Sequence, residues 1–338
     1  MRHSYTREYQ LLHHLLSRFM EVLIDKNVNI SIQLKLKNLH LLTKNKHNKE
    51  MIFMKISIIT PALNSEKFIE NNLKSIHLSQ SGDFSIEQII VDGGSTDRTV
   101  EIVSSFKEKY NANIILLQGK DKNMYDGINK GLKIMTGDIW ACLNTDDMYY
   151  PEILPSIVKV FEEKEYIDVV YGFVDNIDQN ENFLYTTILP EFNLKTMILA
   201  NICIITHPST FLRRCVLEKV GYFDINYKYS SDYDYLIRIG KSCKMALVKK
   251  SFVKFRMHGN SISCKSETSQ IQSEESKKIS EKYIREYKIQ RNNLRFFYIK
   301  FKLLQTISMK NIKAAFHRRV KKIIYISSAL KFGVFVLK

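Results

Sequence analysis

The sequence predicts an α/β fold built on a doubly wound, mostly parallel sheet flanked by helices. Two observations support this prediction. Short apolar runs rich in β-branched residues alternate with segments of helical length, and polar residues rich in Asp, Asn and Gly follow the runs. Strands that alternate with helices of about 10–15 residues imply parallel βαβ units. Continuous apolar runs are typical of strands buried on both faces. The four runs are residues 55–60, 88–92, 113–117 and 139–143.

Helix signals lie between these runs. Asn64 is expected to cap a helix after the first strand, and Asp97 is expected to start a second helix after the second strand. A third helix is predicted over Asn123–Met135, with Gly137 ending it. Because ligands of such sheets bind at the carboxyl ends of the strands, the loops that follow the strands are the first place to look for a site.

Charge divides the 338 residues into three regions. The net charge is +16, but residues 1–53 hold nine Lys/Arg against four Asp/Glu, and residues 291–338 hold twelve against none. The intervening residues, 54–290, are balanced, with 30 basic and 31 acidic side chains. We therefore predict a basic helical extension over 1–53, a catalytic α/β domain over 54–265 and a basic helical region over 266–338. The basic ends favour an anionic membrane surface rather than nucleic acid as partner.

The termini and the cysteines bear on location. The apolar stretch 323–337 would span only about 22 Å as a helix, short of the roughly 30 Å hydrocarbon core, so an interfacial helix is expected. No secretory signal is visible at the start. Five scattered cysteines without a Cys-x-x-Cys pair fit a reducing compartment. These features predict a cytoplasmic protein, peripheral on the inner face of the cell membrane.

Two carboxylates follow the fourth apolar run, in Asn144-Thr145-Asp146-Asp147. Carboxylates at the end of a buried strand are costly unless a positive charge pairs with them. A divalent cation that bridges a diphosphate would supply that charge. A turn or helix cap before Pro151 is the alternative interpretation of the same four residues.

Two further loops share this edge of the predicted sheet. Asp92 ends the second strand and opens Asp-Gly-Gly-Ser-Thr-Asp, whose glycines would let the backbone approach a ligand. A tight turn capped by Asp97 explains part of this pattern but not a charge at Asp92. Thr60-Pro61-Ala62-Leu63-Asn64 follows the first strand. Taken alone it could be a proline-stiffened loop.

Together these motifs resemble those of the family 2 glycosyltransferases of the GT-A fold, bacterial cell-surface polysaccharide type, over about residues 55–263. The resemblance also covers Asp121-Lys122-Asn123-Met124-Tyr125-Asp126-Gly127-Ile128-Asn129-Lys130-Gly131, in which Asn123 replaces the usual Gly. It implies a nucleotide-sugar donor and a Mg²⁺ or Mn²⁺ cofactor. The implied donor-binding residues are Thr60, Pro61, Asn64, Asp92, Gly93, Ser95, Lys122, Asp126 and Asp146, and the implied metal ligands are Asp147 and His258.

The resemblance also places the second half of the site. Asp232, in Ser230-Ser231-Asp232-Tyr233-Asp234, aligns with the base that takes the acceptor's proton in inverting transfer. Ser230 or Ser231 as a helix N-cap is a compatible interpretation. His207 and Asp234 are expected on the acceptor side, although a lone His is as often structural.

These residues predict a metal-dependent, inverting hexosyltransferase that acts on a saccharide or lipid-linked saccharide in surface polysaccharide biosynthesis. The segment 256–263 reads Arg-Met-His-Gly-Asn-Ser-Ile-Ser rather than the Gln-x-x-Arg-Trp of processive synthases, so non-processive transfer is expected. A nucleotidyltransferase is disfavoured, because residues 60–67 lack a Gly-rich basic loop. A scaffold that binds membrane or nucleic acid through its basic ends is the non-catalytic alternative.

Overall fold

The computed structural model describes residues 53–259 and 266–289. Residues 1–52 of the predicted extension 1–53, and the apolar stretch 323–337, lie outside these residues. Nine strands are described: β1 (Lys55–Ala62), β2 (Ser85–Asp92), β3 (Ile114–Gln118), β4 (Ile139–Cys142), β5 (Met148–Tyr149), β6 (Val169–Ile177), β7 (Phe183–Thr187), β8 (Thr210–Arg213) and β9 (Met245–Arg256).

Eight α-helices are described within the same residues, together with a 3₁₀ turn at His207–Ser209. They are α1 (Ile69–His77), α2 (Thr99–Tyr110), α3 (Met124–Ile134), α4 (Ile153–Glu163), α5 (Leu194–Ala200), α6 (Arg214–Val220), α7 (Ser231–Ser242) and α8 (Ser266–Glu286). No helix in these ranges is both long and apolar enough to cross a bilayer.

One sheet contains all nine strands, in the order β3-β2-β1-β4-β8-β6-β9-β5, with β7 beside β6. The first four strands are parallel, as the sequence predicts. Beyond β4 the sheet is mixed, because β8 runs antiparallel to both β4 and β6. The reversal brings the start of β8 beside the end of β4, so the loop before β8 reaches the same edge as the loops after the parallel strands.

All four predicted strands overlap the observed ones, because most of their residues are buried in the sheet. The side chains of Ile56, Ile58 and Ile59 in β1 are inaccessible to solvent, as are those of Ile89 and Ile90 in β2. Residues of β1 and β2 pair in register up to Ala62 and Asp92, and Asp92 pairs in turn with Gln118 of β3. The strand ends are therefore level, and the loops that follow them meet.

Two helix starts differ from the prediction. Asn64 does not cap α1; it has a φ of 49°, and the helix begins five residues later. Ser230 precedes α7 but makes no side-chain capping bond. By contrast α3 lies within the predicted helix Asn123–Met135, and Asn123 caps it, accepting hydrogen bonds from the N–H groups of Tyr125 and Asp126.

Candidate active site

A cleft of about 760 Å³ opens at the carboxyl edge of β1, β2 and β4. One wall is formed by residues 61–68 after β1, and another by residues 121–125 before and at the start of α3. Residues 144–146 lie at the end of β4. The remaining lining residues are Val91, Gly93, Asp97, Tyr229, Asp232, Phe255, His258 and Gln272. The cleft thus collects the loops that the sequence singles out, together with side chains from α7, β9 and α8.

Two of these loops are fastened to each other. The N–H of Thr96 donates to Asn64 Oδ1 at 2.8 Å, and the N–H of Asn64 donates to Ser95 Oγ at 2.8 Å. Asp97 Oδ2 accepts the N–H of Glu66 at 3.0 Å. Asn64 adopts its left-handed conformation to make this cross-loop contact, which Asn tolerates better than most residues. The loops after β1 and β2 therefore form one rigid wall of the cleft.

Several of the predicted donor-binding residues face the protein rather than the cleft in this structure. Thr60 is fully buried and accepts a hydrogen bond from Gln88 Nε2 at 2.9 Å. Asp92, 1% exposed, accepts the N–H groups of Gly94 and Ser95 and the hydroxyl of Ser95. Asp92 and Ser95 thus build the turn, and Pro61, Asn64 and Gly93 are the cleft-lining members of the predicted set in these two loops.

The loop before α3 contributes a carboxylate that sequence reasoning missed. Asp121 lines the cleft next to the exposed Lys122 and forms an ion pair with Lys130, with 2.5 Å between Asp121 Oδ1 and Lys130 Nζ. Asp126 does not line the cleft; its Oδ2 accepts the N–H of Lys122 at 3.1 Å and so shapes the loop. Asp121 is the first residue of the motif 121–131. Its position in that motif could have identified it as a site residue.

The two carboxylates after β4 point in opposite directions. Asp146 lines the cleft, and its Oδ2 lies 3.0 Å from His258 Nε2. The side chain of Asp147 is completely buried behind the cleft, where Oδ1 accepts the N–H of Arg256 at 3.0 Å and Oδ2 has no hydrogen-bond partner among the described residues. Burial and the neighbouring Asp146 raise the pKa of Asp147 well above its usual range. In this structure the side chain of Asp147 does not line the cleft, and its role as a metal ligand stays a prediction.

Neighbouring elements hold this loop in place. Asn72 on α1 donates from Nδ2 to the carbonyl oxygens of Asn144 (2.8 Å) and Asp147 (3.0 Å). Arg256, only 2% exposed, donates from Nε to the carbonyl oxygen of Asp146 at 3.1 Å. Its guanidinium also lies over the ring of Phe68. Asp146 is therefore presented to the cleft by a loop that is anchored on two sides.

A divalent cation fits the chemistry of Asp146 and His258. No group of three or more His, Cys, Asp or Glu side chains within 53–259 and 266–289 is placed to hold a metal. A carboxylate and an imidazole are nonetheless a reasonable protein contribution, because Mg²⁺ in phosphate-binding sites takes one or two carboxylates and completes its shell with substrate phosphates and water. Of the two predicted metal ligands, His258 lines the cleft together with Asp146, whereas Asp147 is buried.

Asp232, at the start of α7, also lines the cleft. Its Oδ1 accepts hydrogen bonds from Tyr125 OH at 3.1 Å and from the N–H of Tyr233 at 2.8 Å. Burial raises the pKa of Asp232 above its usual value, although both hydrogen bonds oppose the shift. Both described hydrogen bonds go to Oδ1, so Oδ2 is the oxygen left to face a bound molecule. A carboxylate whose pKa is raised in this way is suited to accept a proton from a bound hydroxyl.

The two predicted acceptor-side residues do not line the cleft. His207 packs edge-on against Phe223, its Nε2 is buried without a described partner, and burial lowers the pKa of His207 to about 4. Asp234, 2% exposed, pairs with Arg238 Nε at 2.8 Å and accepts the Tyr283 hydroxyl at 2.8 Å. Asp234 thus lies at the contact between α7 and α8, and His207 packs against Phe223, while their acceptor-side roles stay predictions.

Comparisons with known proteins place this site in a family. Residues 57–221 match the family model "Glycosyl transferase family 2". The chain is 33% identical over 184 residues to a PGL/p-HBAD biosynthesis glycosyltransferase of Mycobacterium bovis, an alignment that covers 54% of this chain and 68% of the relative. The chain belongs to glycosyltransferase family 2. Its sequence resemblance and the GT-A-like α/β fold are thereby confirmed.

Two further similarities agree with this placement in glycosyltransferase family 2. An uncharacterized glycosyltransferase of Rickettsia typhi is 28% identical over 210 residues, which is 60% of this chain and 64% of the relative. The crystal structure of S. aureus TarS 1-349 superposes with a TM-score of 0.51 at 18% identity, covering 84% of this chain and 93% of that chain. At that identity the structural likeness supports the fold.

Several residues that line the cleft lie outside the part of the chain that matches the family model. Asp232, His258 and Gln272 all lie after residue 221, where the match to glycosyltransferase family 2 stops. Tyr125 and Gln272 were not predicted as site residues. Tyr125 belongs to the apolar pattern of α3, which predicts a buried side chain. Gln272 lies on a polar helix and belongs to no motif. Only the fold shows that both side chains reach the cleft.

Proposed function

We propose that this glycosyltransferase is inverting and non-processive, and that it moves a sugar from a nucleotide-sugar donor to a saccharide acceptor. The observation that carries the proposal is that one cleft is lined by two kinds of group: Asp146 with His258, and Asp232 with its raised pKa. The first pair suits a diphosphate, and the second group suits a hydroxyl that must lose its proton.

The donor's nucleoside is assigned to the wall formed by the fastened loops after β1 and β2. Pro61, Asn64 and Gly93 line this wall, and Asp121 and Lys122 face it from the loop before α3. A side chain at Gly93 would place its Cβ 3.3 Å from Asp121 Oδ2, so the glycine keeps this part of the cleft open. Backbone and short side chains suit a flat base, and a carboxylate suits its N–H groups or the ribose hydroxyls.

The transfer is proposed as a single displacement. The acceptor hydroxyl gives its proton to Asp232 Oδ2 while the hydroxyl oxygen attacks the anomeric carbon from the face opposite the leaving group. The bond from the anomeric carbon to the diphosphate oxygen breaks, and the nucleoside diphosphate departs with the electron pair. Tyr125 and the N–H of Tyr233 hold Asp232 Oδ1 fixed, so that Oδ2 stays aimed at the acceptor.

Mg²⁺ or Mn²⁺ is proposed as cofactor, held by Asp146 and His258. When bound, the ion would neutralise charge on the departing diphosphate. Arg256 and Asn72 fix the backbone around Asp146 and so set the direction of its carboxylate. Phe68 packs against the His258 ring, with 5.0 Å between centroids, and orients it toward Asp146.

The acceptor is proposed to be a lipid-linked saccharide of surface polysaccharide biosynthesis, met at the cytoplasmic face of the membrane. The basic, apolar-rich ends of the chain support this proposal, because such segments favour an anionic membrane surface. Non-processive transfer is supported by the sequence around His258, which departs from the motif of processive synthases.

A donor screen tests the proposed function. The full chain is incubated with UDP-, GDP- and dTDP-sugars, each with and without Mn²⁺, and the melting temperature is measured. We expect one nucleotide class to raise the melting temperature by several degrees with Mn²⁺, because a ligand that binds only the folded state stabilises it. The same donor should be slowly hydrolysed. A chain that none of these donors stabilises and that hydrolyses none of them would contradict the proposal.

A pH prediction follows from the contact between Tyr125 and Asp232. The Tyr125 hydroxyl stabilises the ionised carboxylate, so Tyr125→Phe should raise the pKa of Asp232 further. Transfer requires ionised Asp232 and is lost as the pH falls through that pKa. The acid limb of the kcat/KM profile should therefore move to higher pH in Tyr125→Phe, with the donor KM little changed. Tyr222→Phe, an exposed tyrosine outside the cleft, is the control and should leave the limb in place.

A further inference from the structure

Helix α8 lies beyond the family match and packs against the start of α7, the helix that carries Asp232. A single carboxylate makes three of the hydrogen bonds in this contact. Glu275 Oε1 accepts the N–H of Lys228 at 2.8 Å, and Oε2 accepts the N–H groups of Tyr229 at 2.8 Å and Ser230 at 3.0 Å. Three consecutive N–H groups directly before α7 are thus held by one side chain of another helix.

The turn before α7 depends on this outside support. Ser230 makes no capping bond to its own helix; its hydroxyl instead contacts the carbonyl oxygen of Gln272 and the hydroxyl of Ser276, each at 3.0 Å. Helix starts commonly satisfy their N–H groups with a local Ser, Thr, Asp or Asn. Here the local candidate, Ser230, is turned toward α8 instead. Contacts from α8 therefore set the direction of α7.

Contacts after Asp232 complete the joint. The Tyr233 hydroxyl lies 2.8 Å from Ser280 Oγ, and the Tyr283 hydroxyl donates to Asp234 Oδ1 at 2.8 Å. Residues on both sides of Asp232 in the chain are therefore fixed to α8, while Asp232 itself faces the cleft. Gln272, one helical turn before Glu275, lines the same cleft.

We propose that Glu275 is a positioning residue for Asp232: it fixes the turn that aims the carboxylate and adds a negative charge beside it. The inference rests on the proposed role of Asp232 as the base. The charge and the geometry of Glu275 are separable, because Gln keeps the length of the side chain without the charge and Asp keeps the charge without the length.

The charges around Asp232 predict the direction of the effect. Tyr125 faces it from α3, Cys203 from the segment after α5, and Glu275 from α8. Burial is the main cause of the raised pKa of Asp232, and the Glu275 charge raises it further. Tyr125 acts in the opposite sense, and the Asp232 charge raises the pKa of the Cys203 thiol.

Three variants of the full chain test the proposal. In Glu275→Gln the carbonyl oxygen can still accept the N–H groups of Tyr229 and Ser230, so α7 should stay in place while the pKa of Asp232 falls. In Glu275→Asp the charge remains, but the carboxylate is one methylene too short to reach all three N–H groups. Glu274→Gln is the matched control, because Glu274 is an exposed neighbour on α8 whose described hydrogen bond is to Gln270.

The first measurement is the titration of Asp232 by NMR of ¹³C-labelled aspartate carboxyls, with the signal assigned by its loss in Asp232→Asn. We expect Glu275→Gln to titrate at lower pH than the wild type, and Glu274→Gln to match the wild type. An Asp232 titration unchanged in Glu275→Gln would overturn the proposal. This measurement needs no substrate, so it stands apart from the proposed function, which fails only if the wild type neither binds nor turns over a donor.

The second measurement is the kinetics of transfer or donor hydrolysis. Glu275→Gln should move the acid limb of kcat/KM to lower pH, whereas Glu275→Asp should leave the limb in place and lower kcat by about tenfold, since small displacements of a catalytic group are costly. Donor KM should stay unchanged in both. A purely structural role would lower the melting temperature and the amount of active enzyme without moving the limb. Wild-type kcat in Glu275→Asp would overturn the positioning role.

Discussion

Asp232→Asn should lower kcat for sugar transfer about 1,000-fold, within the range that a positioned general base contributes, while donor affinity stays close to that of the wild type. The amide cannot take the acceptor's proton. It can still accept hydrogen bonds from Tyr125 OH and the Tyr233 N–H through its carbonyl oxygen, so the local structure should persist. Single-turnover kinetics with saturating donor would separate the chemical step from binding.

The stability of the same variant distinguishes lost chemistry from lost structure. Burial raises the pKa of Asp232, so the ionised carboxylate is less stable in the folded chain than in water at neutral pH. Asn removes that cost, and the melting temperature of Asp232→Asn at neutral pH should be no lower than that of the wild type. Asp224→Asn, in the loop before α7 and outside the cleft, is the control and should keep kcat within about twofold. A kcat above a tenth of the wild-type value in Asp232→Asn would rule out the general base.

The strands were predictable because a strand that is buried on both faces has a continuous apolar run in its sequence. The runs at 55–60, 88–92 and 139–143 are continuous and apolar, and each became a strand whose side chains are almost wholly buried. The strands in the second half of the sheet are less evident from the sequence. Residues Met245–Arg256 of β9 include an exposed Lys-Lys pair, and its register shifts against β6, so neither alternation nor a continuous run marks it.

The direction of a side chain at a strand end was not predictable. Asp92, Asp146 and Asp147 all follow apolar strands, yet only Asp146 faces the cleft. Asp92 is turned inward by the N–H groups of its own glycine-rich turn, and Asp147 by the N–H of Arg256, which is more than a hundred residues away in sequence. The local sequence pattern indicates poorly how a turn orients its own side chains. It does not indicate a contact with a residue that is distant in sequence.

Long-range joints explain the other differences. Asn64 was expected to cap a helix, but its side chain bonds to Thr96 in the loop after another strand. Asp234 pairs with Arg238 four residues later, a helical spacing that sequence does show, and this pairing signals a structural role rather than an acceptor contact. Family resemblance located the motif correctly in both cases, and the fold then decided which of its side chains are available to a ligand.

The roles of Asp146 and Asp147 can be separated by a matched pair of substitutions. Asp146→Asn should lower Mn²⁺ affinity about 100-fold, the upper end of what loss of even an outer-shell metal partner costs. The reason is that Asp146 is the carboxylate that faces the cleft beside His258. Asp147→Asn should keep Mn²⁺ affinity within about threefold, because the buried side chain can still accept the Arg256 N–H through its carbonyl oxygen.

Two measurements compare Asp146→Asn with Asp147→Asn. The free Mn²⁺ signal in electron paramagnetic resonance reports binding by the protein, alone and with the donor found in the screen, and the melting temperature without Mn²⁺ reports stability. Asp147→Asn should not lower that temperature, since burial and Asp146 raise the pKa of Asp147 and disfavour its ionised form. If Asp147→Asn abolishes Mn²⁺ binding and Asp146→Asn leaves it intact, then Asp147 turns into the cleft when metal is present. The loop held by Asn72 and Arg256 would then have to rearrange on donor binding, because its anchors fix Asp147 inward.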